Sequence, residues 1–361
     1  MGARVLIIGA GDAGQRIADG LARSGKVDQV ILSGLCQGRG PALAGMLTSC
    51  YNCSVKFIDL DGTQQKKVEQ LLHAHKPDLV LQSASLLSPW AMHGRTDAVA
   101  TALSQAGLGI QLPAQLPILT TVMQAVREVD FSGPVANLSY PDITHVILDR
   151  FGLTPTIVLG NVSICHLRVR SALRNKLMRE DGSFDPLPLI RLVGHHNQVY
   201  GVMEAQAPDD PNDNCRVYIG EEGQRADELA YQGFPVTPGI DYNIITAAAA
   251  LPVLLALLPG AESLRFSAPA PQALPGGYPV LIREGQVELD LPENVDLKET
   301  VDFHRRISRQ DGIETVGDDG TVVFSEKAKR AVARINPALC EPLTLKECFP
   351  RHQLLMTHLN A

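Results

Sequence analysis

Apolar and polar positions follow two rhythms along this chain, and the change falls near Asp142. Before it, short apolar runs at 4–8, 29–32, 54–58, 79–83 and 134–138 are separated by segments at 14–23, 64–74, 96–105 and 116–129. In those segments apolar residues recur with the 3.6 period of a helix. Strand and helix in alternation predict βαβ units and a parallel sheet covered on both faces. Residues 1–150 are therefore expected to form a doubly wound Rossmann sheet. Beyond it, strands are predicted in tandem at 156–159, 189–193, 198–204 and 216–219, with a polar loop at 208–214 before the last. An apolar helix over 244–258, a Pro- and Gly-rich connector over 268–279, a strand pair and a polar helix near 297–309 follow. Residues 151–361 read as an α+β domain for substrate binding and oligomerisation.

Composition narrows the classes. A length of 361 residues exceeds the usual ~100 to 200 of one domain. With 45% apolar and 20% charged residues the chain has the means to bury a core. A net charge of −7 leaves no basic field for nucleic acid. The 244–258 stretch is shorter than the ~20 residues that cross a bilayer and contains Pro252, so it reads as a buried helix, with no membrane partner. The opening run Val5-Leu6-Ile7-Ile8 is too short for a secretion signal, and a cytoplasmic protein is expected. Seven scattered cysteines read as reduced thiols rather than a disulfide framework. Cys50-Tyr51-Asn52-Cys53 has no second CxxC to complete a zinc site, so it reads as a turn and no metal is expected.

Chemistry is concentrated first in Gly9-Ala10-Gly11-Asp12-Ala13-Gly14, a GxGxxG placed directly after an apolar run and at the start of a helical one. In that context Gly9 permits a tight turn, Gly11 lets backbone approach a pyrophosphate, and Gly14 allows close helix–strand packing. Asp12 and Ala13 lie on the same turn, and the helix N-terminus offers N–H groups to phosphates. Ser83, at the end of the fourth strand, is expected at the same edge. A dinucleotide is the expected ligand. NAD sites carry an acid ~20 residues on, at the end of the second strand, to hold the ribose hydroxyls. Here that place is Ser33, followed by Arg39, a pair suited to a 2′-phosphate, so NADP is favoured over NAD. The alternative is that Arg39 is solvated and Asp59 or Asp61 serves the adenosine side.

Three further segments occur in a meaningful order: Asn137-Leu138-Ser139-Tyr140-Pro141-Asp142, Cys165-His166-Leu167-Arg168-Val169-Arg170 and Gly194-His195-His196-Asn197. Together with Thr246-Ala247-Ala248-Ala249 and Gly276-Gly277-Tyr278-Pro279, they resemble the lactate/malate dehydrogenase superfamily. The resemblance implies that His196, or its neighbour His195, exchanges a proton, and that Asn137 orients substrate near the nicotinamide. It implies that Arg168, with Arg170, binds a substrate carboxylate, and that Thr246 lines the pocket. The histidine's titration range and the planar fork of arginine suit those roles. Cys165 stands where that family has the acid that orients its histidine, and Arg95 is near the place of its lid arginine. The N-terminal half also resembles saccharopine-dehydrogenase-type reductases, which act on imines.

The expected function is thus hydride transfer between NADP(H) and a small carboxylate bearing a keto or imine group, in a homodimer. A binding protein without turnover, or a redox-cycled metal-dependent glycosidase using Cys165, His166, His195 and His196, is the alternative.

Overall fold

The computed structural model describes residues 2–35, 38–140, 142–183 and 185–360. Six parallel strands, β1 (Ala3–Ile8), β2 (Val27–Gly34), β3 (Ser54–Asp59), β4 (Leu79–Gln82), β5 (Val135–Asn137) and β6 (Ile157–Val158), lie in the order β3-β2-β1-β4-β5-β6. This is the doubly wound order, in which the chain reverses direction between β1 and β4 and opens a crevice at the carboxyl ends of the strands. Helices α1 (Asp12–Arg23), α2 (Arg39–Cys50), α3 (Gln65–His75), α4 (Ala98–Ala106), α5 (Leu112–Glu128) and α6 (Ile143–Asp149) are interleaved with them. β1 is apolar at consecutive positions because both faces of the sheet are covered. Val5 and Ile7 join one core, Leu6 and Ile8 the other.

The second half continues with α7 (Val162–Leu177), β7 (Ile190–Val193), α8 (Val199–Glu204), β8 (Arg216–Ile219), β9 (Gln224–Arg225) and α9 (Tyr242–Ala256). The hairpins β10 (Leu264–Pro269), β11 (Gly277–Arg283) and β12 (Gln286–Leu289) follow, then α10 (Leu297–Ser308), β13 (Ile313–Val316), β14 (Val322–Phe324), α11 (Glu326–Val332) and α12 (Cys348–Leu359). The mixed α/β architecture matches expectation, with antiparallel sheets following the parallel one. Residues on both sides of position 150 share both cores: Val253 and Leu254 pack with Val5, while Leu355 and Leu359 pack with Leu6. Among the described residues no helix is long and apolar enough to cross a membrane.

Three elements differ from the sequence reading. The 156–159 run is the sixth parallel strand, since Ile157 and Val158 pair with Ala136 and Asn137. The 198–204 segment is helical. His195 Nδ1 accepts the Asn197 N–H at 3.3 Å while Gln198 Oε1 accepts the His195 N–H at 2.7 Å, and this reciprocal cap starts a helix where alternation suggested a strand. The 268–279 connector is the turn of the β10–β11 hairpin, whose register pairs Pro269 with Gly277. Its tight reversal uses Ala270, Gln272 and Ala273 in the left-handed region, which pattern reading does not detect.

Candidate active site

A cavity of about 580 Å³ opens at the carboxyl edge of the sheet and runs from the glycine turn to His196. Gly9 has φ +126°, and a Cβ there would lie 2.6 Å from both Ser83 Oγ and the Ala84 nitrogen. A Cβ on Gly14 would meet the Gly9 carbonyl at 2.0 Å. These two glycines are demanded by the fold itself. Gly11 differs: it caps α1 at φ −70°, an ordinary value, and a Cβ there would meet nothing within 4 Å. Nothing inside the protein requires a glycine at that place, so the space beside it is available to a ligand. No side chain caps α1, which leaves N–H groups on its first turn facing that space.

The residues around the turn behave unequally. Ala13 and Ser83 line the cavity, and Ser83 Oγ donates to the Gly9 carbonyl at 3.0 Å. Asp12 also lines it, accepting from Arg16 Nε at 2.7 Å and from Asn243 Nδ2 at 3.0 Å, and so ties α1 to α9. Burial pushes its carboxyl up, but Arg16 and Asn243 outweigh this and hold it below the usual range.

The adenosine-side expectations need correction. Ser33 is fully buried and its hydroxyl donates to the Ile7 carbonyl at 2.9 Å, because the strand continues past it. β2 ends at Gly34, so Gly34 and Leu35 reach the cavity instead. Arg39 is an exposed first residue of α2 and does not border the cavity. Asp59 pairs with Gly34 in the sheet and also lies outside the lining, whereas Asp61 contributes to it. Asp61 accepts from the backbone and hydroxyl of Thr63 and from Gln64, and these bonds lower its pKa. The described residues lining the cavity include Asp12 and Asp61 but no Lys or Arg. The pair on which NADP was favoured is therefore not assembled.

At the far end, His196 lines the cavity and its Nδ1 lies 3.3 Å from Asp311 Oδ2. Asp311 is fully buried and also accepts from Asn197 Nδ2 at 3.0 Å, while its carbonyl accepts from the Gly109 N–H at 2.8 Å. Burial lowers the His196 pKa, but the bond to Asp311 outweighs it and the net shift is upward. Burial raises Asp311, yet His196, His195 and Asn197 bring it below the usual carboxylate range. The two directions agree: the pair favours imidazolium beside carboxylate. Tyr140 stacks on His196 with ring centroids 5.0 Å apart. His195 reaches Asp311 Oδ2 at 3.5 Å but does not line the cavity, and burial shifts it down. Its ring serves the cap of the following turn, which corrects its placement as a catalytic candidate. Asp142, fully buried, is pushed up by burial, and its Oδ1 accepts from Asn161, a cavity residue with φ +46°.

Other candidates lie elsewhere. Asn137 is buried outside the lining, its amide exchanging both hydrogen bonds with the Ser139 backbone at 2.9 and 3.0 Å. That local turn brings Leu138, Ser139 and Tyr140 to the cavity in its place. Arg168 is buried off the cavity, one turn beyond the lining residue Ile164. Its Nη2 donates to the Phe234 carbonyl at 2.6 Å and its Nε is buried without a partner. Arg170 is exposed on the opposite side of α7, as two residues' spacing on a helix dictates. Thr246 does line the cavity, its hydroxyl donating to the Tyr242 carbonyl at 2.9 Å. Arg95 is bound to Asp97 at 2.8 Å and to the Leu359 carbonyl at 2.9 Å. Cys165 is buried beside Cys215, and His166 Nδ1 faces Ser267 Oγ at 3.0 Å; neither borders the cavity.

Sequence reasoning missed Asp311. It sits 115 residues from His196, in an Asp-Gly dipeptide of a kind that also occurs at Asp19, Asp61, Asp181 and Asp319. No local signal separates these five, and only the fold selects one.

No protein family's sequence profile matches this chain, and no curated protein does. Solved structures do. The malate dehydrogenase of Plasmodium falciparum is similar at 13% identity and TM-score 0.54, over 92% of this chain and 100% of that one. The malate dehydrogenase of Picrophilus torridus is similar at 14% identity and TM-score 0.52, over 92% and 99%. A lactate dehydrogenase of Cryptosporidium parvum, complexed with lactic acid and nicotinamide adenine dinucleotide, is similar at 16% identity and TM-score 0.51, over 86% and 96%. The chain adopts the fold of the lactate and malate dehydrogenases.

Proposed function

We propose that this chain is an NAD(H)-dependent oxidoreductase that interconverts a 2-oxo acid and its 2-hydroxy acid, with His196 exchanging the proton. The observation that carries the reading is the single cavity joining an open, uncapped glycine turn to a histidine paired with a buried carboxylate. The likeness to lactate and malate dehydrogenases supports it.

The first turn of α1 suits a pyrophosphate, with Gly11 leaving room for it. A nicotinamide bound in the cleft supplies or accepts hydride at the substrate carbon. His196 donates a proton to the carbonyl oxygen during reduction and takes it back during oxidation. Asp311 holds the ring by Nδ1, which leaves Nε2 as the exchanging atom, and stabilises the imidazolium. NAD is favoured over NADP, because Asp61 and a described lining without Lys or Arg oppose a 2′-phosphate.

Arg168 is the group we assign to the substrate carboxylate. A buried guanidinium satisfied only by the Phe234 carbonyl is poorly neutralised, and an incoming carboxylate supplies the missing charge once the Phe234 segment yields. Residues 1–150 then serve chiefly the cofactor and 151–361 the substrate. Self-association is assigned to the groove between α1, α2 and α9, where Met46 and Ile244 are exposed. A reducing, cytoplasmic setting suits the buried free cysteines.

The test is spectrophotometric: NADH consumption with a panel of 2-oxo acids and NADH production with the matching 2-hydroxy acids. Turnover in both directions is expected. Protein that binds NADH but turns over no member of either panel would refute the assignment.

A further inference from the structure

We infer that the substrate carries a large aromatic group beyond its reacting carbon, held by Trp90, Tyr200 and Tyr242; this rests on the 2-oxo acid reading above. Two sets of ring contacts border the cavity beside the acid–base pair. Tyr140 stacks on His196, and Tyr200 stands one helical turn after His196. Its ring centroid lies 6.2 Å from that of Tyr242, which meets Trp90 edge to face at 5.6 Å. All of these rings border the cavity, and Val199 and Ile240 extend the apolar wall.

The polar tips of three of these rings are spent on the protein. The Tyr140 hydroxyl donates to Gln111, the Tyr242 hydroxyl donates to the Val236 carbonyl at 2.9 Å, and Trp90 Nε1 faces Asn243 Oδ1 at 3.4 Å. What they offer a ligand is ring surface, which favours edge-to-face or offset contact with another ring.

Charge argues against the competing choice, a second carboxylate. The described residues that line the cavity include no Lys or Arg, the charge of His196 is already paired with Asp311, and Arg95 is held by Asp97 and the Leu359 carbonyl. Asp12 and Asp61 border the same space. Arg168 can neutralise one carboxylate; a distal one would be buried unpaired, at a high desolvation cost. A methyl group in that position would leave the aromatic wall without a partner, whereas an aryl ring buries on the order of 150 Å² or more against it.

The experiment compares kcat/KM at saturating NADH for pyruvate, oxaloacetate, phenylpyruvate and indolepyruvate, in wild type and in Trp90→Ala. The aryl acids are expected to exceed the two small acids more than tenfold, and Trp90→Ala to cut that ratio at least fivefold, through KM. Should Trp90→Ala fail to fold, Tyr200→Leu, at a half-exposed position, gives the same readout. Equal or faster reduction of pyruvate or oxaloacetate, or a ratio untouched by the substitution, overturns this inference and leaves the oxo acid reading standing. No reduction of any of the four by protein that binds NADH overturns both.

Discussion

His196 Nδ1 and Asp311 Oδ2 lie 3.3 Å apart although 115 residues separate them in the chain, and the carboxylate is almost fully withdrawn from solvent. Cys165, which stands where the resembled family has its orienting acid, faces Cys215 inside the core that holds Val5 and Ile7. The carboxylate that bonds the His196 imidazole comes from the far end of the chain. It can do so because the α10–β13 turn is clamped on Gly109, where a Cβ would meet the Asp311 carbonyl at 2.8 Å.

The pair sets a pH dependence with a definite sign. Reduction consumes a proton, so imidazolium is the active form, and kcat/KM falls as pH rises through the His196 pKa, which lies above 6.5. In Asp311→Asn the bond and charge of Asp311 are lost and only the smaller pull of Asp142 opposes burial, so this limb moves to lower pH and the rate at pH 7 falls roughly 100-fold. For oxidation the neutral ring is active and the limb runs the other way. Because the folded pKa of His196 is raised, its share of stability is present below pH 6.5 and disappears as pH rises through the folded value. Initial-rate profiles and Tm against pH, in wild type and variant, check both statements.

The glycine turn separates folding from binding. Gly11→Ala fits open space at an ordinary φ, so Tm is expected to change little, while NADH affinity falls about tenfold or more. Gly14→Ala meets the Gly9 carbonyl and is expected to destabilise by about 2 kcal/mol or more. Thermal melts with and without NADH distinguish the two.

Cofactor choice follows from where β2 ends. NADH is expected to bind at least tenfold more tightly than NADPH, and Arg39→Ala to leave that preference in place, since Arg39 does not line the cavity and acts on it only through its charge on Asp12. Titrations of the two cofactors decide it. Trp90 is the only tryptophan, and its place in the cavity makes its fluorescence a direct reporter of binding.

Arg168→Met exchanges a poorly neutralised buried charge for an apolar side chain of similar length. Stability is expected to stay within about 1 kcal/mol of wild type, because the lost bond to the Phe234 carbonyl is offset by removal of the charge. KM for the oxo acid rises roughly 100-fold with NADH affinity intact. Denaturant unfolding and steady-state kinetics measure the two effects independently.

The parallel sheet was legible because buried strands and amphipathic helices differ in period, and Gly9, Gly11 and Gly14 because their spacing acts within six consecutive residues. The order of motifs pointed to His196, which lines the cavity. Where reading failed, the decisive interaction lay elsewhere in the chain or in side-chain geometry. Ser33 is one position too early because β2 runs on to Gly34, and element ends are poorly marked in sequence. Asn137 is withdrawn by a turn with Ser139, and Arg168 by a carbonyl 66 residues away. The 198–204 helix escaped notice because its N-cap is His195 rather than the usual Ser, Thr, Asp or Asn.

Proton transfer by His196 in an NADH-linked reaction of this cleft is checked by the turnover of the best 2-oxo acid by His196→Ala, in protein whose NADH binding is verified through Trp90 fluorescence. The expected rate is at least 1,000-fold below wild type with NADH affinity retained. A variant that binds NADH and turns over at the wild-type rate would contradict it.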